Sequence, residues 1–329
     1  MEQGRTKRFT HAEELCNAGL RCETIVRSGE TWRPVLESPL DRLQRSRKTK
    51  YSVQTAVLPE LTRDQVAEKL RAHGYDGVEW RIHEDYHIAP KELVARAREI
   101  KRLVDAHGLE VSCLTGYAPL GDLEQQRWFA EACAIMGCPR YRPGAVIYDG
   151  TRNYRELYQA TVDALGKAIE AISPFAVKPV IETHFGTIAP SAGLTYRLVQ
   201  HFDSRELGVN YDPANLIIEG RESWQMGLEL LGPYLDYVHA KNIAWVREKG
   251  AWRWVFASMT EGQVDWAEVM RLLRLVGYDG YVSFENFYLV PMKSKGFIGE
   301  DLTQHAEAFR DIDQRLDEDL RYLKGLASA

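Results

Sequence analysis

From residue 50 onward the chain alternates between two kinds of hydrophobic pattern. Short runs rich in β-branched and aromatic residues, over 51–57, 77–81, 109–115, 141–147, 178–184, 207–212, 236–241 and 281–286, read as strands. Between them apolar residues return at helical spacing over 62–73, 90–107, 122–136, 152–173, 192–202, 221–231, 264–276 and 302–324. Regular strand–helix alternation implies a parallel sheet, and eight such units predict an α/β fold, a closed (β/α)8 TIM barrel. G-Y-D-G occurs at 74–77 and again at 277–280, each time between a helix and a strand, where glycine supplies a left-handed helix end. An open doubly wound sheet would need a glycine-rich phosphate turn after its first strand; the segment there reads L-P-E-L-T.

Residues 1–49 lack this periodicity, so the expected organisation is an N-terminal extension over 1–49 and a catalytic barrel over 50–329. Basic residues gather where the extension ends, at Arg42, Arg45, Arg47, Lys48 and Lys50, which suits a solvated arm or a short helix packed on the barrel, with a subunit-contact arm or a partial lid as the alternative. Hydrophobic residues make up 45% of the 329 and charged residues 27%, ample for a large core. A net charge of −5 argues against a nucleic-acid surface or an anionic membrane as partner. Cys16, Cys22, Cys113, Cys133 and Cys138 form no C-x-x-C pair and are odd in number, so no disulfide framework is expected. With no apolar signal core and no bilayer-length apolar run, the expected location is the cytoplasm.

Candidate chemistry lies in the second half. Glu182, Asp212, His239 and Glu285 end four successive strands, in the contexts V-I-E-T-H, V-N-Y-D-P-A-N, Y-V-H-A-K-N and V-S-F-E-N. A barrel gathers the C-terminal ends of its strands on one face. Three ionised carboxylates there would repel one another, and a bound dication converts the repulsion into coordination. Oxygen-rich ligation with one imidazole suits Mn2+, Mg2+, Co2+ or Zn2+ and does not choose among them; Mn2+ is the ion expected. A six-coordinate ion would keep about two positions open for a sugar hydroxyl and carbonyl.

The segments I-E-T-H-F-G-T (181–187), G-V-N-Y-D-P-A-N (208–215), V-H-A-K-N (238–242) and E-G-Q-V-D-W followed by G-Y-D-G-Y-V-S-F-E-N resemble the xylose isomerase-like superfamily of metal-dependent sugar isomerases and epimerases. That superfamily also includes apurinic endonucleases and inosose dehydratases. The resemblance spans about residues 50–325 and implies that Glu182, Asp212, His239 and Glu285 hold one divalent metal. It also implies that the first and last glutamates move protons on opposite sides of the substrate. Two departures stand out: Asn215 where many relatives have histidine, and Asn242 where many have aspartate. The loops supply no evident extra histidines for a three-zinc endonuclease cluster.

The chemistry expected is proton abstraction beside a carbonyl through a metal-stabilised enediolate, with Glu182 and Glu285 as the exchanging acid and base. His184, two residues beyond Glu182, is a third catalytic candidate, as a base or as an orienting neighbour of Glu182. Lys241 could bind a hydroxyl or pair with Asp212 or Glu285. Glu79 and Arg81, on one face of the second strand, are substrate candidates or partners of each other. Asn215 and Trp245 complete the substrate-binding candidates. Trp245 belongs to an aromatic loop with Trp252, Trp254 and Phe256, which suits a sugar ring or flat aglycone, or a hairpin over the barrel. The leading expectation is a sugar isomerase or epimerase acting on a small sugar or sugar derivative. One alternative is a lyase on an oxidised (3-keto) sugar, such as the similar catalytic subunit of a C-glycoside deglycosidase, or a dehydratase. That lyase would use His184 as base and work with a second subunit; self-association is the other assembly considered. The remaining alternative is an inactive sugar-binding barrel.

Overall fold

The computed structural model describes residues 25–28, 31–34, 49–59, 61–287 and 306–328. The chain divides into two compact units, Met1–Ser46 and Arg47–Ala329. In the first, Ile25–Ser28 and Thr31–Pro34 pair as antiparallel strands where the sequence suggested an arm or a short helix. The cluster Arg42, Arg45, Arg47 and Lys48 lies outside the described residues, as do Cys16 and Cys22.

The second unit is a closed barrel of eight parallel strands. They are β1 (Lys50–Gln54), β2 (Gly77–Arg81), β3 (Glu110–Thr115), β4 (Arg140–Arg142), β5 (Lys178–Glu182), β6 (Gly208–Tyr211), β7 (Leu235–Ala240) and β8 (Tyr281–Phe284). β8 pairs with both β7 and β1, which closes the ring. The main helices are α1 (Arg63–His73), α2 (Leu93–Ala106), α3 (Leu123–Met136), α4 (Tyr154–Ile172), α5 (Ala192–Val199), α6 (Pro213–Ile218), α7 (Trp224–Leu231), α8 (Trp266–Leu275) and α9 (Ala306–Ser328). Caps place several of them. Thr62 and Gln65 form a capping box on α1, and Asp122, Asn153, Ser191 and Asp265 cap α3, α4, α5 and α8. Both G-Y-D-G repeats end a helix on a left-handed glycine, Gly74 at φ 80° and Gly277 at φ 74°.

Alternation along the strands separates two environments. Val78, Trp80, Leu114, Tyr141, Val209 and Val282 are buried in the main apolar core. Inside the barrel a polar network lies beside a small cluster of Cys113, Val180, Tyr237 and Tyr281. Ser112 Oγ lies 2.9 Å from Ser52 Oγ and 2.7 Å from the Tyr237 hydroxyl, which donates to Glu79 Oε2 at 3.1 Å. This network is the floor beneath the strand ends. Cys113, Cys133 and Cys138 are buried free thiols.

Three differences from the sequence reading have local causes. β4 stops at Arg142, not residue 147, because Pro143 has no N–H to continue a ladder. The short helix α6 follows Asp212 directly, with Pro213 at its first position. The aromatic loop is a hairpin, Asn242–Glu248 paired with Ala251–Ala257, turning through Lys249 and Gly250, both at positive φ.

Candidate metal centre and active site

Four side chains converge at the C-terminal mouth. Glu182 is the last residue of β5, Asp212 follows β6, His239 lies near the end of β7, and Glu285 follows β8. One potential ligand atom from each lies within 4.8 Å of all the others, and all four residues are buried. An ion with bonds of about 2.1 Å spans roughly 4.2 Å between opposite ligands, so small side-chain movements suffice to close the set.

The surroundings of His239 show why the set fits a cation. Its Nε2 lies 3.1 Å from Glu79 Oε1. Its Nδ1 faces Glu182 Oε1 at 3.1 Å, Glu285 Oε2 at 3.1 Å and Asp212 Oδ2 at 3.9 Å. One N–H cannot satisfy three carboxylate oxygens. A cation bound by Nδ1 and all three oxygens does, while Glu79 fixes the tautomer by taking the Nε2 proton. Burial alone would lower the imidazole pKa, yet Glu79, Glu285 and Glu182 hold it well above the ordinary value. The cluster thus demands positive charge at His239, as a proton or as a metal.

The fold holds each ligand with separate contacts. Asp212 Oδ1 caps α6 by accepting from the N–H groups of Ala214 and Asn215, both at 3.0 Å, which leaves Oδ2 for the cluster. Its pKa is raised by burial, against the opposing pull of Lys241. Glu182 Oε2 pairs with Arg142. Burial favours the neutral acid, but Arg142, then His239, hold Glu182 well below the usual carboxylate range. Glu285 Oε1 accepts from Gln54 Nε2 at 2.5 Å, and Oε2 lies 2.9 Å from Lys241 Nζ. Burial raises its pKa, and Lys241 and His239 more than reverse that.

The other predicted residues divide. Lys241 is 2.8 Å from Asp212 Oδ2 as well as beside Glu285, so the pairing alternative is realised with both partners. Burial would discharge its ammonium; those two carboxylates hold it protonated. Asn215 donates to Glu182 Oε1 at 3.3 Å and to the Thr183 carbonyl at 3.0 Å, a position that orients a ligand. Glu79 requires a correction. It engages His239, Thr115 and Tyr237 instead of Arg81, and is fully buried. Arg81 stands apart, its guanidinium 4.0 Å from the centre of the Tyr117 ring. His184 lies past the end of β5, and its Nδ1 donates to the Phe185 carbonyl at 2.7 Å, not to Glu182. In the neutral ring that leaves the lone pair on Nε2.

Trp245 Nε1 donates to the Ile217 carbonyl at 3.3 Å, tying the hairpin down. A chain of neighbouring rings instead runs from His184 through Phe185, Trp254 and Phe256 to Phe287. Asn242 donates to the carbonyls of Met259 and Val264 and accepts from the Val264 N–H. It staples the segment after the hairpin, a task aspartate cannot perform because it has no donors. Arg142 and Gln54 were not singled out from sequence. Their signal was slight: an arginine before Pro143 and a neutral amide ending β1.

The sequence profile of the xylose isomerase-like TIM barrel family matches residues 67–323. The chain belongs to this family. Similar solved structures include a D-psicose 3-epimerase from Clostridium cellulolyticum H10 determined with D-tagatose (14% identity, TM-score 0.67, covering 85% of this chain and 99% of that one). A 3-keto-D-glucoside 4-epimerase from E. coli is similar at 19% identity and TM-score 0.61, with 82% and 100% coverage. A probable 3-DHS dehydratase from Bacillus anthracis, involved in petrobactin synthesis, is similar at 17% identity and TM-score 0.66, with 84% and 99% coverage. At these identities the likeness establishes the shared barrel. No described helix is long and apolar enough to cross a membrane.

Proposed function

We propose that this protein is a divalent-metal-dependent sugar isomerase or epimerase that moves a proton on a carbon beside a carbonyl. The observation that carries the reading is the convergence of three carboxylate oxygens on one imidazole nitrogen at the barrel mouth. A dication held by Glu182, Asp212, His239 and Glu285, with Mn2+ the preferred ion, supplies electrostatic stabilisation for negative charge forming on the substrate oxygen. The similar structures include two sugar epimerases and a probable dehydratase, and epimerisation and dehydration can both begin with such a proton transfer.

The proton-holding groups follow from the hydrogen bonds. Glu285 can take a proton on Oε1, because Gln54 carries an unpartnered buried Oε1 and can rotate its amide to accept the new O–H. Glu182 keeps its Oε2 on Arg142, which makes it the weaker base and the firmer ligand. His184, with its lone pair on Nε2, is the second proton carrier. An imidazole base and a run of rings beside it also favour a second reading, a lyase that removes a proton and expels a leaving group from a 3-keto glycoside.

Incubating Mn2+-loaded protein in D2O with a panel of ketoses and 3-keto glycosides tests both readings. Deuterium entering a free ketose supports the isomerase. Release of the aglycone without such exchange supports the lyase. Neither event, with metal bound, contradicts both. Glu182→Gln is expected to abolish turnover with the circular dichroism spectrum unchanged; full activity in that variant would refute its assigned place.

A further inference from the structure

Among the described residues, one charge at the barrel mouth lacks a counterion. Arg81 ends β2 on the ligand face, is 6% exposed, and has no carboxylate within ion-pairing distance among the described residues. Its guanidinium lies 4.0 Å from the Tyr117 ring centre and 5.8 Å from that of Tyr86, and its Nε is buried with no hydrogen-bond partner. Buried arginines are ordinarily paired, because an uncompensated buried charge is costly. The nearby acids are already engaged: Glu182 by Arg142, Asp212 and Glu285 by Lys241, and Glu79 by His239.

Arg81 also feels the site directly. Burial, then the like charge of Arg142, pulls its pKa down to about 10, while Glu285 and Glu182 act in the opposite direction. The fold therefore keeps two guanidiniums near each other and neutralises only one of them. Among the described residues, a dication in place would give four carboxylates facing two guanidiniums, one ammonium and the metal, one surplus positive charge.

We propose that Arg81 is a carboxylate subsite, and that the substrate is an acidic sugar derivative of the uronate or sugar-acid class. This rests on the metal-centre reading above. One open guanidinium fork and one surplus charge match a planar monoanion. A phosphate dianion would exceed that charge, and no glycine-rich loop is present to cradle it. Tyr117, half exposed, lies against the guanidinium.

Calorimetric titration of the Mn2+-loaded full chain with D-glucuronate, D-glucose and D-glucose 6-phosphate tests the subsite. Glucuronate is expected to bind about tenfold tighter than glucose, as one charge-assisted contact would give. Arg81→Gln, checked for folding by circular dichroism, should remove that preference, and Arg81→Lys should keep part of it and guard against a folding artefact. Equal affinity for glucuronate and glucose in the wild type, or a preference that survives in Arg81→Gln, overturns the proposal. So does tighter binding of glucose 6-phosphate than of glucuronate. Absence of all sugar binding overturns it as well. A parallel Mn2+ titration of the same preparation then tells whether the metal-centre reading fails with it or stands alone.

Discussion

His239 has two ring nitrogens and four acidic neighbours, and the difference between its two sides organises the site. Glu79 alone faces Nε2; three carboxylates gather around Nδ1, the arrangement proposed to bind a cation. Replacing Glu79 with Gln keeps the shape and removes the charge that polarises the imidazole. Mn2+ affinity, measured by titration, is expected to fall by about tenfold or more with the fold retained; unchanged affinity would remove Glu79 from its supporting position. The four converging residues were legible in the sequence because each ends a strand-like run in a consecutive unit. The supporting residues were not. Glu79 looked like a substrate contact, since its partner His239 is 160 residues away along the chain. Gln54 and Arg142 gain meaning only when β1 and β4 are brought into one ring.

At the level of elements, hydrophobic periodicity located all eight strands and most helices, and it misjudged their ends. Side-chain chemistry caused the misses. Asp212 caps α6 with one oxygen and faces the cluster with the other, so a ligand and a helix start share one residue. The hairpin from Asn242 to Ala257 was legible only as an aromatic loop, because its turn residues, Lys249 and Gly250, resemble ordinary surface sequence. The loop after β2 carries a pH-dependent contact. His87 donates from Nε2 to the Leu58 carbonyl at 3.1 Å and rests against Trp80. Burial lowers its pKa from 6.5 to about 4. Between those values the unfolded chain binds a proton that the folded chain refuses. This contribution is complete above pH 6.5 and is lost as pH falls toward 4, by roughly 3 kcal/mol in all. His87→Gln keeps a donor for Leu58 and does not titrate. The slope of melting temperature against pH should flatten for this variant across that window; an unaltered slope would assign the acid sensitivity elsewhere.

For the whole molecule, the metal set joins β5, β6, β7 and β8, half of the closed ring, through side chains at one end. A cation that binds the folded barrel and not the unfolded chain raises stability by mass action. Chelation is therefore expected to lower the melting temperature, and added Mn2+ to restore it; a melting curve indifferent to both would mean that the site does not bind Mn2+ in the folded state. The barrel itself was legible from the alternation of strands and helices, and the family match confirms it. The environment of Arg81 was not, because its lack of an ion-pair partner among the described residues shows only in three dimensions.

The central claim is that Glu182, Asp212, His239 and Glu285 form one cation site. Titration of metal-stripped protein with Mn2+, followed by electron paramagnetic resonance of the free ion, tests it most directly. One Mn2+ bound per chain, with that binding lost or greatly weakened in Asp212→Asn, is the predicted result. No saturable binding in the wild type, or equal binding in Asp212→Asn, would contradict it.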